Sequence, residues 1–213
     1  MTVEVVIVDH PIVADSLASV RSIDTPNGEF RRHVERVGLV LMSEATRHLP
    51  TRDTTVTTPL CDTSAVRLIA SPVLVPVLRA GLGLLAPAQQ LLPESPVGFV
   101  GVARDEHTFE PVAYVNKLAD DLEGRPVIVL DPMLATGGSL LHVINLLTDH
   151  GNALALTVVC LLAAPEGIER LRAAELPIDV TIVTASVDER LNESAFIVPG
   201  LGDAGDRLFG RPG

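Results

Sequence analysis

Aromatic residues are scarce in this chain: they make up 3% of 213 residues, with no tryptophan and one tyrosine, while hydrophobic residues reach 47%. A core must therefore be aliphatic, built from Val, Leu, Ile and Ala, and the chain is long enough to bury one. Positive charge is the second shortage. Sixteen Lys and Arg face 27 Asp and Glu, a net charge of −11. Such a surface repels nucleic acid and anionic membranes, so an anionic ligand must be met by a local cluster of arginines. Cysteine is nearly missing. Cys61 and Cys160 make no disulfide framework, and Cys160, inside the apolar run LTVVCLLAA, reads as a small core residue. Long hydrophobic runs are absent too: the most apolar region, 68–92, is broken by Arg79 and several prolines and cannot span a bilayer. With no recognisable signal peptide, internal repeat or linker, the expectation is one reduced, cytosolic domain over residues 1–213.

Several chemistries lack their signature. His10, His33, His48, His107, His142 and His150 form no metal-spaced cluster. Neither Ser64 nor Ser139 sits in a nucleophile elbow, and no Cys/His pairing is recognisable.

What is present alternates. The segment TPNGEF opens a helix, with Thr25 as its expected cap and Pro26 at its first position, and Phe30, Val34, Val37, Leu41 and Ala45 share one face. Buried-strand runs follow at 72–78, 97–103, 127–130, 156–162 and 180–183. Helix-compatible stretches lie between most of them, at about 83–92, 138–150 and 166–174. Continuous β-branched runs alternating with helices predict an α/β fold, a mainly parallel sheet covered on both faces. Ligands of such sheets bind at the carboxyl ends of the strands. The polar stretch 104–118 breaks the rhythm and reads as an extended hairpin or arm projecting from the sheet, an oligomer contact or a lid.

Three loops at strand ends carry chemistry. In VIVLDPMLATGGSLLHVI (127–144) a strand ends in Asp131, and Ala135-Thr136-Gly137-Gly138-Ser139 leads into a helix. Converging backbone N–H groups, a helix N-terminus and two hydroxyls make a cradle for a phosphate monoester, and Asp131 can bind sugar hydroxyls. Without G-K-[ST] it is no Walker loop, and TGGS alone reads equally as an ordinary strand-to-helix turn. The second loop, PVLVPVLRAGLGLLA (72–86), contains G-x-G-x-x-A, with Asp105 near the end of the next strand, the arrangement of a dinucleotide site. Against that, Arg79 and Ala80 intervene between strand and glycines, and Pro87 and Pro93 shorten the helix. The other reading is a guanidinium clamp for a diphosphate, with Arg104 as a second arginine. The third, GLGDAGDR (200–207), is G-x-G-x-x-G with no room for a βαβ unit before Gly213. A loop with so few side chains suits reading the edge of a small planar ligand through its backbone, with no helix expected after it.

A phosphate cradle with a sugar-binding carboxylate, a diphosphate clamp and a flat-ligand loop fit 5-phosphoribosyl 1-pyrophosphate (PRPP) and a nucleobase. Over nearly its whole length the sequence resembles the uracil phosphoribosyltransferases, through DHP (9–11), TPNGEFR, EATRHLP, TPL (58–60), PVLRAGLG, ARDE, LDPMLATGGS, VDERLNE and IVPGLGDAGDRLFG. Pro132 directly after Asp131 matches the uracil branch of the type I enzymes rather than the purine branch, whereas YVNKLA departs from the proline expected after KL. The resemblance implies a type I phosphoribosyltransferase fold and the conversion of uracil and PRPP to UMP and diphosphate. It implies that PRPP is held by Arg79, Arg104, Asp131, Pro132, Met133, Leu134, Ala135, Thr136, Gly137, Gly138, Ser139 and Asp203, with Mg²⁺ carried mainly by PRPP and no dedicated protein metal site. Ile197, Gly202, Asp203 and Ala204, within a C-terminal loop at about 196–207, would hold uracil; Asp203, Arg79 and Asp131 would be the catalytic set. It further implies GTP as a possible activator and a homodimer or homotetramer. Two rivals are an RNA-binding regulator, which needs a basic face this chain lacks, and an NADP-linked oxidoreductase built on GLGLLA.

Overall fold

Five apolar strand segments, each too hydrophobic to face water on either side, dictate a sheet buried between two helical layers. The computed structural model describes residues 1–104, 111–118, 122, 124–149 and 153–211. In chain order the elements are β1 (Val3–Ile7), α1 (Pro11–Arg21), α2 (Asn27–Ala45), β2 (Thr51–Thr57), β3 (Asp62–Leu68), β4 (Val73–Leu78), α3 (Leu82–Leu91), β5 (Phe99–Arg104) and β6 (Pro111–Lys117). They continue with β7 (Pro126–Leu130), β8 (Met133–Leu134), α4 (Gly138–Asp149), β9 (Ala155–Ala163), α5 (Pro165–Ala173), β10 (Val180–Val187), β11 (Arg190–Leu191), β12 (Ile197–Val198) and α6 (Ala204–Phe209).

The main sheet runs β1-β10-β9-β7-β4-β5-β6, with β8 beside β9. Pairing is parallel from β1 through β5 and antiparallel at β6. Alternate residues of a strand serve opposite layers. Leu74, Ile128, Leu130 and Val159 pack with Phe30, Val34, Val37 and Leu41 of α2, and with α1 and α3. Val73, Val75, Val127, Val129 and Val158 pack instead with Val143 and Ile144 of α4 and Leu171 of α5. Cys160 lies in this second layer and is fully buried, as its apolar neighbours predict. No helix among the described residues is long and apolar enough to cross a membrane.

Two local expectations change. Pro26, not Thr25, stands at the cap of α2 and contributes no side-chain bond, while the Thr25 hydroxyl donates to the carbonyl of Ser19 at 2.6 Å. Thr25 thus ties the α1–α2 turn together rather than starting the helix. The 104–118 stretch does not leave the sheet over its described part: β6 folds back onto β5 from Arg104↔Pro111 to Phe99↔Lys117 and closes the sheet edge, and the turn at 105–110 lies outside the described residues. The hairpin that forms a separate two-stranded sheet is β2–β3, exposed along most of its length. Its polar alternation, TRDTTVT against DTSAVRL, gives neither face enough apolar area to join the core.

The turn from β4 into α3 is as tight as the chain permits. A Cβ on Gly81 would lie 2.3 Å from the carbonyl oxygen of Leu130 and 2.5 Å from the amide nitrogen of Val77. Gly81→Ala is therefore expected to destabilise the fold by about 3 kcal/mol, since backbone atoms cannot yield as side chains do. Gly28→Ala, in the first turn of α2 with its nearest neighbour 4.0 Å away, is expected to stabilise by about 0.5–1 kcal/mol. Urea denaturation of the two variants checks both; equal effects would contradict the packing argument.

Candidate active site

Register places the site. β4 and β7 pair from Val73↔Val127 to Pro76↔Leu130, so both strands deliver their next residues to the same sheet edge. Asp131 follows β7 directly and Arg79 follows β4. Between them opens a cavity of about 450 Å³. Its walls come mainly from three segments, with Val102 and Tyr114 of β5 and β6 beside them: Leu78, Arg79 and Ala80 at the end of β4; Asp131, Met133–Gly137 and Ser139 after β7; and Asp203 and Gly205 from the C-terminal loop. Three loops far apart in sequence thus line one space.

The 131–139 loop is held from behind. Gly137 has φ +74, and a Cβ there would lie 2.8 Å from the carbonyl oxygen of Gly167. Gly167 is equally constrained, because its own Cβ would lie 2.3 Å from the carbonyl oxygen of Ala135. The loop and the first turn of α5 touch through bare backbone. The glycines are needed for this close approach, and a larger residue at 137 would damage the loop's support as well as any cradle. At the front, the Gly138 amide donates to Thr136 Oγ1 at 3.5 Å, and α4 begins at Gly138. Pro132 faces away, its carbonyl accepting the amides of Leu161 and Leu162 at 2.9 and 3.2 Å.

Asp131 is crowded by protein yet keeps a partial opening to the cavity. Burial raises its carboxyl from 3.8 to about 6, against a weak opposing bond from the Met133 amide. At neutral pH it is ionised in a place that resists charge, and so is prepared to receive hydroxyl donors or a cation.

The C-terminal loop meets the cavity because it is fastened elsewhere. Arg21 at the end of α1 grips Asp188 with two bonds, Nη1–Oδ2 at 2.7 Å and Nη2–Oδ1 at 2.6 Å, and its Nη1 also donates to the carbonyl of Gly200 at 2.9 Å. Asp188 in turn accepts the Gly200 amide and the Ser186 hydroxyl, each at 2.9 Å. Burial pushes the Asp188 carboxyl upward, but these hydrogen bonds and the Arg21 charge outweigh it and hold the group below its ordinary value. Arg207 inserts among the carbonyls of Val20, Leu201 and Ser22, 4.2 Å above the Phe30 ring, and Arg31 caps the carbonyl of Leu208 at 2.7 Å. A short helix, α6, does follow the glycines, contrary to the expectation of none. Asp203 is its N-cap and accepts the Asp206 amide at 2.8 Å. The D-A-G-D spacing is a capping signal that overrides the shortness of the remaining chain.

Of the sequence-derived site residues, the structure brings together Arg79, Asp131, Met133, Leu134, Ala135, Thr136, Gly137, Ser139 and Asp203. Gly138 lies just behind this lining, and Arg104 ends β5, its side chain outside the described residues. Ile197 and Ala204 are buried in the core, and Gly202 lines a neighbouring cavity with Arg21 and Arg207. The sequence reading missed Tyr114, whose ring covers Gly101 at the cavity rim. It also missed Asp206, which contacts Arg79, and the Arg21–Asp188 pair. The VDER motif marked Asp188 without revealing its partner 167 positions away.

The fold is that of the type I phosphoribosyltransferases. A hypoxanthine-guanine phosphoribosyltransferase from Bacillus anthracis superposes with a TM-score of 0.52, covering 76% of this chain and 80% of that one, a likeness of fold alone at 15% identity. The sequence model of the family Uracil phosphoribosyltransferase matches residues 6–211. Proteins named uracil phosphoribosyltransferase from Corynebacterium diphtheriae and Kineococcus radiotolerans are 49% and 51% identical, over 97% and 96% of this chain and 97% of each relative. A solved structure, the AQ2163 protein from Aquifex aeolicus, aligns with a TM-score of 0.88 at 36% identity, covering 97% of this chain and 98% of that one. The chain belongs to the uracil phosphoribosyltransferase family.

The buried carboxyl gives a direct test of this geometry. The folded protein holds the Asp131 proton up to about 6, whereas an unfolded chain releases it near 3.8, so stability falls as pH rises through that window. Asp131→Asn is expected to gain stability over the parent between about pH 4 and 7, by about 1–3 kcal/mol. Urea titrations at several pH values check this; a difference independent of pH would contradict it.

Proposed function

We propose that this chain transfers the 5-phosphoribosyl group of PRPP to N1 of uracil, releasing UMP and diphosphate, as its family membership implies. The observation that carries the reading is the single cavity shared by Arg79, the 131–139 loop and Asp203. In this reading Thr136, Gly137, Gly138 and Ser139 receive the 5′-phosphate at the start of α4, where amides and hydroxyls converge. Asp131 receives the ribose hydroxyls. Arg79, and Arg104 at the end of the neighbouring strand β5, would meet the diphosphate.

Diphosphate departure leaves positive charge on the ribose ring, so the barrier is largely electrostatic. Arg79 stabilises the leaving group, while Asp131 and Asp203 favour charge developing on the ring. Among the described residues no group of three or more His, Cys, Asp or Glu can hold a metal. Two separate carboxylates on the cavity wall fit a cation that arrives already chelated by phosphate oxygens. Asp131 and Asp203 would be the residues nearest such a Mg²⁺, which would supply neutralisation of the diphosphate charge. Uracil N1 loses a proton as it attacks, and Asp203, directly or through water, is the candidate base.

Base choice follows from the C-terminal loop. Ile197 and Ala204 keep their side chains in the core, so they and Gly202 would address uracil through backbone amides and carbonyls. The exposed apolar side chains of the β2–β3 hairpin, Val66 and Leu68 among them, support assembly as a homodimer or homotetramer. GTP activation belongs to the same family expectation and is read by adding GTP to the assay below.

Uracil offers O4 and an N3–H, and cytosine reverses both. Two mismatched backbone groups cost about 1–3 kcal/mol each, and such sites reject analogues by factors on the order of 10⁴. Diphosphate release from PRPP is expected with uracil and with 5-substituted uracils bearing small groups, and not with cytosine, hypoxanthine or guanine. Comparable rates with cytosine would overturn the backbone readout; a purine preference would overturn the proposed reaction.

A further inference from the structure

We propose that Asp206 is a positioning residue, holding the Arg79 guanidinium at the junction of the diphosphate and base ends of the cavity. The proposal rests on the phosphoribosyl-transfer reading above, in which Arg79 meets the leaving group. Asp206 Oδ1 accepts from Arg79 Nη2 at 3.3 Å, and Oδ2 lies 3.7 Å from Nε of Arg211. One carboxylate therefore stands between a cation on the cavity wall and a cation near the chain end.

The backbone of Asp206 is held without its side chain. Its amide donates to Asp203 Oδ1 and its carbonyl accepts the Gly210 amide, both at 2.8 Å. The carboxylate is thus spare with respect to α6. Arg79, by contrast, needs a partner. Its side chain is 48% exposed at the end of a strand, and a guanidinium on three methylenes has many rotamers open to it when unpartnered. An ion pair this exposed adds little to fold stability. Its value is geometric. Arginine has five N–H donors, so the bond through Nη2 leaves others to meet an anion.

Gly205 strengthens the assignment. A Cβ there would lie 3.2 Å from Asp203 Oδ1 and 3.7 Å from Arg79 Nη2, so the guanidinium passes α6 at a residue with no side chain and reaches Asp206. Asp203 and Asp206 ride on the same short helix. A shift of the base loop therefore carries Arg79's partner with it, and the placement of the leaving-group cation follows the state of the base end.

A double-mutant cycle tests this. Asp206→Ala is expected to lower kcat about tenfold, with KM for uracil within about twofold of the parent and an unchanged melting temperature. Asp206→Asn, which keeps an oxygen acceptor for Nη2, is expected to recover most of that loss. Asp206→Ser, too short to reach Arg79, should match the alanine variant and replaces it if alanine unsettles the helix. On an Arg79→Ala background, where kcat has already fallen about 100-fold, Asp206→Ala should add less than about twofold. An equal effect of Asp206→Ala in both backgrounds, or no effect in the parent, overturns the positioning role and leaves the transfer reaction standing. An Arg79→Ala enzyme as active as the parent overturns both.

Discussion

The parallel register of β4 on β7 is the constraint from which the site follows. Hydrogen bonds between Val73–Pro76 and Val127–Leu130 fix where both strands stop, and hence the level at which Arg79 and Asp131 emerge. Each strand is buried on both faces, so a slip of even one residue would exchange the side chains serving the two helical layers. Hydrophobic packing thus sets polar geometry. Valines and leucines that never meet a ligand determine the separation between a cation and a carboxylate that would.

The second constraint is long-range. The C-terminal loop has few side chains and little core of its own, yet it must present Asp203 to a cavity built by the middle of the chain. Arginines supply the attachment. Arg21 binds Asp188 and Gly200, Arg207 binds carbonyls of the α1–α2 turn, and Arg31 caps the end of α6. In a chain with only 16 basic residues this is a large commitment of positive charge to structure. Partly buried guanidiniums suit the task, because their fixed fork of donors holds several acceptors at once.

What the sequence made legible was whatever depends on neighbours in the chain. Continuous β-branched runs marked the buried strands, and LDPMLATGGS marked a strand, a loop and a helix start in the right order. Thr25 was misread because a Thr-Pro pair is a standard helix opening, and only tertiary structure offered its hydroxyl the Ser19 carbonyl. β6 looked like an arm because an edge strand is half exposed and polar, which by composition alone is indistinguishable from a projecting hairpin. β2 and β3 passed unnoticed for a related reason: exposed strands leave no hydrophobic period. The cap at Asp203 was readable from D-A-G-D, but the nearness of the chain end argued against any helix. Arg21–Asp188 and Arg79–Asp206 span 167 and 127 positions, and no local pattern signals such pairs.

The central claim is that three separate loops hold phosphate, ribose and base, with Asp203 shared between the cavity at Arg79 and Asp131 and the neighbouring one lined by Gly202. The structure of the complex with UMP tests it most directly. The account predicts the phosphate at Thr136–Ser139, the ribose hydroxyls on Asp131, and the uracil edge against the backbone of Gly202–Ala204. A phosphate bound away from the start of α4, or a base lying outside the C-terminal loop, would contradict it.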